Sequence, residues 1–228
     1  MKKLILFVML IMGATAVSAQ HWSLTPEVGM TAVNRGDKKF SDVKTWDARW
    51  KLGVGVEYKF KSEFFSLRSG LYYTQRGYKD NYVSFGNYGT PADNPTFDCM
   101  STRLTRHFLE VPLLANFSFR LTDDVRLNLA AGPYVAMSVG DKSKVDYMSY
   151  TAGEAPGSYQ GTGFSHSGWS NENPLDWGAS FKVGLEIKQW VISAGYDLSL
   201  AKEYDGGHAD VKYQTLSLSV GYKFKIGK

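Results

Sequence analysis

The sequence predicts an all-β fold: an eight-stranded antiparallel up-and-down transmembrane β-barrel. Three observations carry this expectation. Apolar and polar residues alternate with period two along most of the chain, the connections between alternating segments switch between short and long, and aromatic residues gather beside the short ones.

The chain opens with Lys2 and Lys3, the apolar run Leu4 to Met12, and the small residues Val17, Ser18 and Ala19. That order reads as a cleaved signal peptide over 1–19, with the barrel domain over 20–228 beginning at Gln20. The apolar run is too short to be a membrane helix, which needs ~20 residues. Beyond Gln20 no apolar run of 18 residues occurs, so a helical membrane protein is excluded. Without Lys2 and Lys3 the charged side chains number 24 basic and 22 acidic, a net of +2 with no basic block, so no nucleic-acid partner is expected. The lone cysteine, Cys99, has nothing to pair with and reads as a spectator.

Eight alternating segments follow: 23–33, 50–60, 64–78, 104–119, 125–139, 177–187, 190–200 and 214–226. In the last, Leu216, Leu218, Val220, Tyr222 and Phe224 share one face, and Ser217, Ser219, Gly221 and Lys223 the other. An even strand number lets the sheet close. Connections at 61–63, 120–124 and 188–189 are short, whereas 34–45, 80–102, 140–174 and 203–210 are longer. The short ones are expected in the periplasm, together with both termini. The longest, rich in Gly, Ser, Tyr and Asn, reads as mobile external surface. Tyr58, Phe60, Phe65, Phe117, Phe119, Trp190, Tyr222 and Phe224 stand beside the short turns, as in an interfacial girdle. Pro112 lacks a ladder donor inside a strand, so a bulge is expected near it.

The polar face is rich in glycine, which fits a narrow lumen. It also carries Glu27, Glu57, Arg68, Glu110, Arg126, Lys182, Glu186 and Asp197. Pairing across the short turns sets Glu57 opposite Arg68, and Lys182 opposite Gly195 and diagonal to Asp197. The expected result is a charge network that plugs the barrel, with a polar conduit for small solutes as the alternative.

Four stretches resemble the outer-membrane β-barrel family common in Bacteroidetes and often called PorT-like, and more distantly the membrane domains of OmpA and OmpX. They are Ser69-Gly70-Leu71-Tyr72-Tyr73 with Arg76-Gly77, Phe108 to Leu114, Ala131-Gly132-Pro133-Tyr134, and Gly221-Tyr222-Lys223-Phe224. The resemblance implies a barrel in the outer membrane of a Gram-negative bacterium. It is nearly silent on activity, and Ile226-Gly227-Lys228 depart from a terminal aromatic residue.

The leading expectation is therefore a non-enzymatic, monomeric structural or interaction protein, in contact with outer-membrane lipid and acting through its external loops. A transporter or secretion accessory, contacting secretion machinery, is a second reading, and a soluble lipocalin-type binder a third. A hydrolase or acyltransferase would draw on Ser165, His166, Ser167, His208, Asp210 or His107, but sequence cannot show that these meet. A metal site from His166, Asp205 and His208 lacks ligand spacing, and Gly161-Thr162-Gly163 reads as flexibility, so no cofactor is expected.

Overall fold

Alternation becomes strand along nearly the whole described chain. The computed structural model describes residues 21–36, 47–60, 64–86, 96–151, 157–165, 174–201 and 212–226. Ten strands run β1 (Trp22–Gly36), β2 (Asp47–Lys59), β3 (Phe65–Gly86), β4 (Thr96–Arg120), β5 (Val125–Thr151), β6 (Gly157–Ser165), β7 (Leu175–Ile187), β8 (Trp190–Ser199), β9 (Lys212–Tyr222) and β10 (Phe224–Ile226).

They build eight staves, each antiparallel to its neighbours, with β6 and β7 occupying one stave because both pair along β5, β7 with Val125–Met137 and β6 with Asp141–Ser149. β9 and β10 form a single stave interrupted at Lys223, because both pair with β1 in one continuous register from Trp22↔Ile226 to Gly36↔Lys212. β1 also pairs with β2, so the sheet closes on itself, and among the described residues β6 pairs only with β5. Closure removes the sheet edges that would otherwise strand backbone donors in hydrocarbon.

The alternation also says which face is which. Along β9, Leu216, Leu218 and Val220 are exposed while Thr215 and Ser219 are buried. The same inversion holds on β2, where Trp50, Leu52 and Val54 face outward and Lys51 and Glu57 inward. A soluble binder of lipocalin type would bury the apolar set, so that reading is overturned. The outward apolar belt has aromatic rims. At the short-turn end Trp22, Tyr58, Phe60 and Phe65 touch in series, Phe64 meets Phe117 and Phe119, and Trp190, Tyr222 and Phe224 touch in turn. At the other end Trp50 and Trp177 stand exposed.

The short turns close tightly. Lys188 adopts φ 58°, the left-handed conformation a two-residue hairpin demands, and its N–H donates to Asp124 O at 2.8 Å. At the opposite end, the expectation of long loops at 80–102 and 140–174 needs correction. β3 and β4 stay paired to Gly86↔Thr96, β4 and β5 to Thr96↔Thr151, and β6 returns along β5. A crossing takes ~9–11 residues, so strands of 22, 25 and 27 residues project well beyond the membrane as a continuous sheet. The Gly, Ser and Tyr composition of 140–151 and 157–165 resembles a loop, but ladder bonds to a neighbouring strand override it.

A second correction concerns Pro112. The register through it is unbroken, with Pro112 opposite Tyr134, and the irregularity falls instead between His107 and Phe108, where β5 carries one extra residue, Val139. Beyond it the inward positions of β5 switch parity, so that Asp141 is buried. The signal-peptide residues, and His166, Ser167, Asp205, His208 and Asp210, lie outside the described residues. Ser165 closes β6, and His107 lies within β4 rather than at its start.

Candidate functional site: the charged lumen

Inward-facing charges fill the barrel in three tiers. In the tier nearest the short turns, Lys223 interrupts the last stave. Its backbone N–H donates to Gln189 O at 2.7 Å, while its ammonium reaches Glu186 at 2.5 Å and Glu57 at 2.7 Å. Ser66 donates to Glu57 at 2.7 Å, and Asn116 links Ser66 to Ser118, which donates on to Asn128. Arg126 sits directly across from Glu186.

The middle tier surrounds Tyr72. Gly53, Gly55 and Gly70 leave the bay in which its ring stands, since a Cβ on any of them would come within 2.7 Å of a Tyr72 side-chain atom. The hydroxyl of Tyr72 donates to Glu27 at 3.3 Å, and Arg68 approaches the same carboxylate at 3.6 Å. Lys51 and Lys182 lie over the ring, 5.1 and 4.6 Å from its centre.

The upper tier is organised by Arg76, which is wholly buried. It donates to Glu110 at 2.6 Å and to Asp176, and lies 5.1 Å from the ring centre of Phe108 and 5.2 Å from that of Tyr134. Asp176 also accepts from Tyr134 at 2.9 Å and Ser199 at 2.5 Å, and Lys51 joins Glu110 at 3.1 Å to Asp197 at 3.9 Å. Above this tier Arg106 pairs with Asp141 at 3.2 Å. Such geometry suits closure of the lumen: each carboxylate meets one or two cations, and Glu27, Glu57, Asp141, Asp176 and Asp197 accept from a hydroxyl as well, which a desolvated charge requires.

All eight charged residues expected on the polar face, Glu27, Glu57, Arg68, Glu110, Arg126, Lys182, Glu186 and Asp197, stand at inward-facing positions of the ladder. Two expected pairings need correction. Glu57 and Arg68 do face each other across β2 and β3, but Arg68 turns to Glu27 and Glu57 to Lys223. Lys182 lies opposite Gly195 as expected, yet Asp197 binds Ser180 at 2.5 Å and Lys51, and among the described residues no carboxylate comes within 4.0 Å of Lys182. Long side chains in a lumen choose partners across the barrel as readily as along one hairpin. Arg76, Asp176 and Lys223 join the network without belonging to the expected set, although the alternation already puts Lys223 on the polar face and period-two counting from Tyr72 and Gly178 puts Arg76 and Asp176 there.

Two stability measurements follow. A double-mutant cycle on Glu57 and Lys223 should show clear coupling, and one on Glu57 and Arg68 a smaller value. Equilibrium urea unfolding in lipid vesicles gives both. Lys182→Met should leave the barrel as stable as the wild type or more so, because it removes a half-buried cation that has no carboxylate within 4.0 Å among the described residues. Lys51→Met should weaken it.

A closed antiparallel barrel with a polar, ion-paired interior and an apolar belt rimmed by aromatic residues is the architecture of an outer-membrane barrel. The chain belongs to the family described as outer membrane protein beta-barrel domain, whose model matches residues 18–205. Among solved structures it is similar to Ail, the attachment invasion locus protein of Yersinia pestis, with 16% identity over 90% of this chain and 99% of that one, TM-score 0.40. It is similar also to Neisserial surface protein A (15% identity, 88% and 97% covered, TM-score 0.42) and to OprG from Pseudomonas aeruginosa (12%, 90% and 97%, TM-score 0.42). At these identities the likeness is one of fold. No curated protein matches the chain.

Proposed function

We propose that this barrel is a non-enzymatic interaction protein of the outer membrane, with its lumen sealed by side chains and its function carried by the part that projects outside. The observation that carries this reading is the combination of a lumen crossed by paired charges at three levels with a sheet, the distal parts of β3 to β6, that continues past the apolar belt at one end only. The outermost strand supports it. Among the described residues β6 pairs with β5 alone, and Gly157–Ser165 contains neither proline nor any charged residue, the devices by which natural edge strands discourage further pairing. An extended segment of a partner polypeptide can add to such an edge through backbone hydrogen bonds.

Reconstituted in a planar bilayer, the wild type should give no steady ohmic current. Sustained conductance would remove the sealed lumen and favour the polar conduit. On intact cells a photo-crosslinker at Gln160 should join the barrel to another polypeptide, and an added protease should cut between 140 and 174 while both termini stay protected. The four stretches that resemble the PorT-like family favour that branch. If the crosslinked partner proves to be a periplasmic or secretion component, the accessory role replaces the surface one.

A further inference from the structure

Midway between the aromatic rims, the outer face carries a trough of about 440 Å³ that crosses β5, β7 and β8. Its floor is main chain. Ala130, Lys182 and Gly195 form one row of the ladder. Ala130 is buried, Lys182 sends its ammonium over the Tyr72 ring in the lumen, and Gly195 has no side chain, so backbone is what this row shows outside. The two neighbouring rows of outward residues form the walls. One runs through Ala131, Phe181, Tyr196 and Leu216. The other runs through Phe117, Leu129, Val183 and Ala194. Ala131 and Ala194 are the low points, one on each flank of β7, and the larger side chains around them supply the height.

Shape and depth fix the occupant. The lining runs from Phe117 on β4 to Leu216 on β9, four inter-strand spacings or roughly 19 Å, so the trough is long and narrow for its volume. Ala194 stands four residues from Trp190 at the short-turn rim. Tyr196 stands four residues from Leu200, whose N–H donates to Trp177 O at the opposite rim. Each interval is about 13 Å along the strand, which puts the trough in hydrocarbon. A second barrel presents a convex surface there, so it would rest on the walls and leave the floor uncovered, and an uncovered floor forfeits dispersion contacts. A flexible aliphatic chain follows the floor and touches both walls.

We infer that the trough is a binding site for one aliphatic chain of a membrane lipid. The strands of such a barrel tilt by about 35–45° from the membrane normal, so a chain lying along a row that crosses them runs at roughly 45–55° to it. The bound chain is held obliquely, out of line with the chains around it, and leaves more slowly than they do.

The test uses the full barrel in nanodiscs of palmitoyl-oleoyl phosphatidylcholine, part of it spin-labelled near the chain end. In native mass spectrometry one lipid should stay on the wild type at collision energies that strip the rest, and the spin-label spectrum should contain a strongly immobilised component. Ala131→Leu combined with Ala194→Leu fills the low points with side chains suited to the belt, and should abolish both signals. Ala179→Leu adds similar bulk to the outer face of β7 beyond the walls, and should change neither. Migration in unheated gels reports whether each variant is folded. A probe needing no variant is dihexanoyl phosphatidylcholine, whose chains are too short to fill the trough and which the wild type should not retain. The inference is overturned if no lipid outlasts the others on the wild type, if the short-chain lipid is held as well as the long, which would mark a headgroup site, or if the double variant keeps the bound lipid. Appearance of a crosslinked dimer in the wild type that the double variant loses would assign the trough to a second copy and overturn it equally.

Discussion

Arg76→Met should cost the barrel ~3 to 5 kcal/mol, the usual penalty for removing one partner of a buried ionic group. The guanidinium is wholly buried and binds two carboxylates, Glu110 and Asp176, so its loss leaves both with one fewer cation in a place water cannot easily enter. Lys51 still reaches Glu110 at 3.1 Å, and Tyr134 and Ser199 still donate to Asp176. The heavier loss therefore falls on Asp176, which keeps hydroxyl donors and no cation. Adding Asp176→Asn to Arg76→Met should recover part of the stability, and that recovery separates charge imbalance from lost packing against Phe108 and Tyr134. Urea unfolding in vesicles, followed by tryptophan fluorescence, supplies the values. A single-variant cost below ~1 kcal/mol would mean that the lumen holds enough water to solvate the orphaned carboxylate, and would open the sealed-lumen reading to doubt.

Leu218→Arg is expected to cost ~2 to 4 kcal/mol, because the side chain stands on the outer face of the last full stave, in mid-belt. Leu218 is 61% exposed, and that exposure is to hydrocarbon once the barrel is inserted. Its neighbour Ser217 faces the lumen above Gly195, beside Lys182: a Cβ on Gly195 would come within 2.6 Å of the Ser217 hydroxyl oxygen and 3.3 Å of Lys182 Cγ. Ser217→Arg would set a second cation beside Lys182, which has no carboxylate within 4.0 Å among the described residues, whereas Ser217→Glu would supply a close partner. The glutamate should therefore be tolerated better than the arginine. Folding yields in vesicles of defined thickness rank the three variants, and normal assembly of Leu218→Arg would invert the assignment of inside and outside.

Much of the barrel was written in the sequence. Period-two alternation decides which residues can share a face, and a membrane leaves one stable arrangement for alternating segments, namely closure with the apolar face outward. Leu216, Leu218 and Val220 on one side and Thr215, Ser217 and Ser219 on the other are enough to assign β9. Hairpin register was equally legible, because a two-residue turn at Lys188 and Gln189 fixes every pair along β7 and β8.

Tertiary structure alone decided the rest. The partners of Arg68, Glu57 and Lys182 lie on staves that are not their hairpin neighbours, and a charge on one stave finds its partner according to barrel diameter and stagger, neither of which register across a single turn conveys. The bulge at His107, not Pro112, arises from where β4 and β5 must accommodate Val139. The projecting sheet was hidden for a related reason: 140–151 and 157–165 are composed like a loop, and become strand because β4 lends a hydrogen-bonding edge to the first and β5 to the second. Local sequence thus determined the faces, the order and the turns, while contacts between residues far apart in the chain determined the charge network and the outward reach of the sheet.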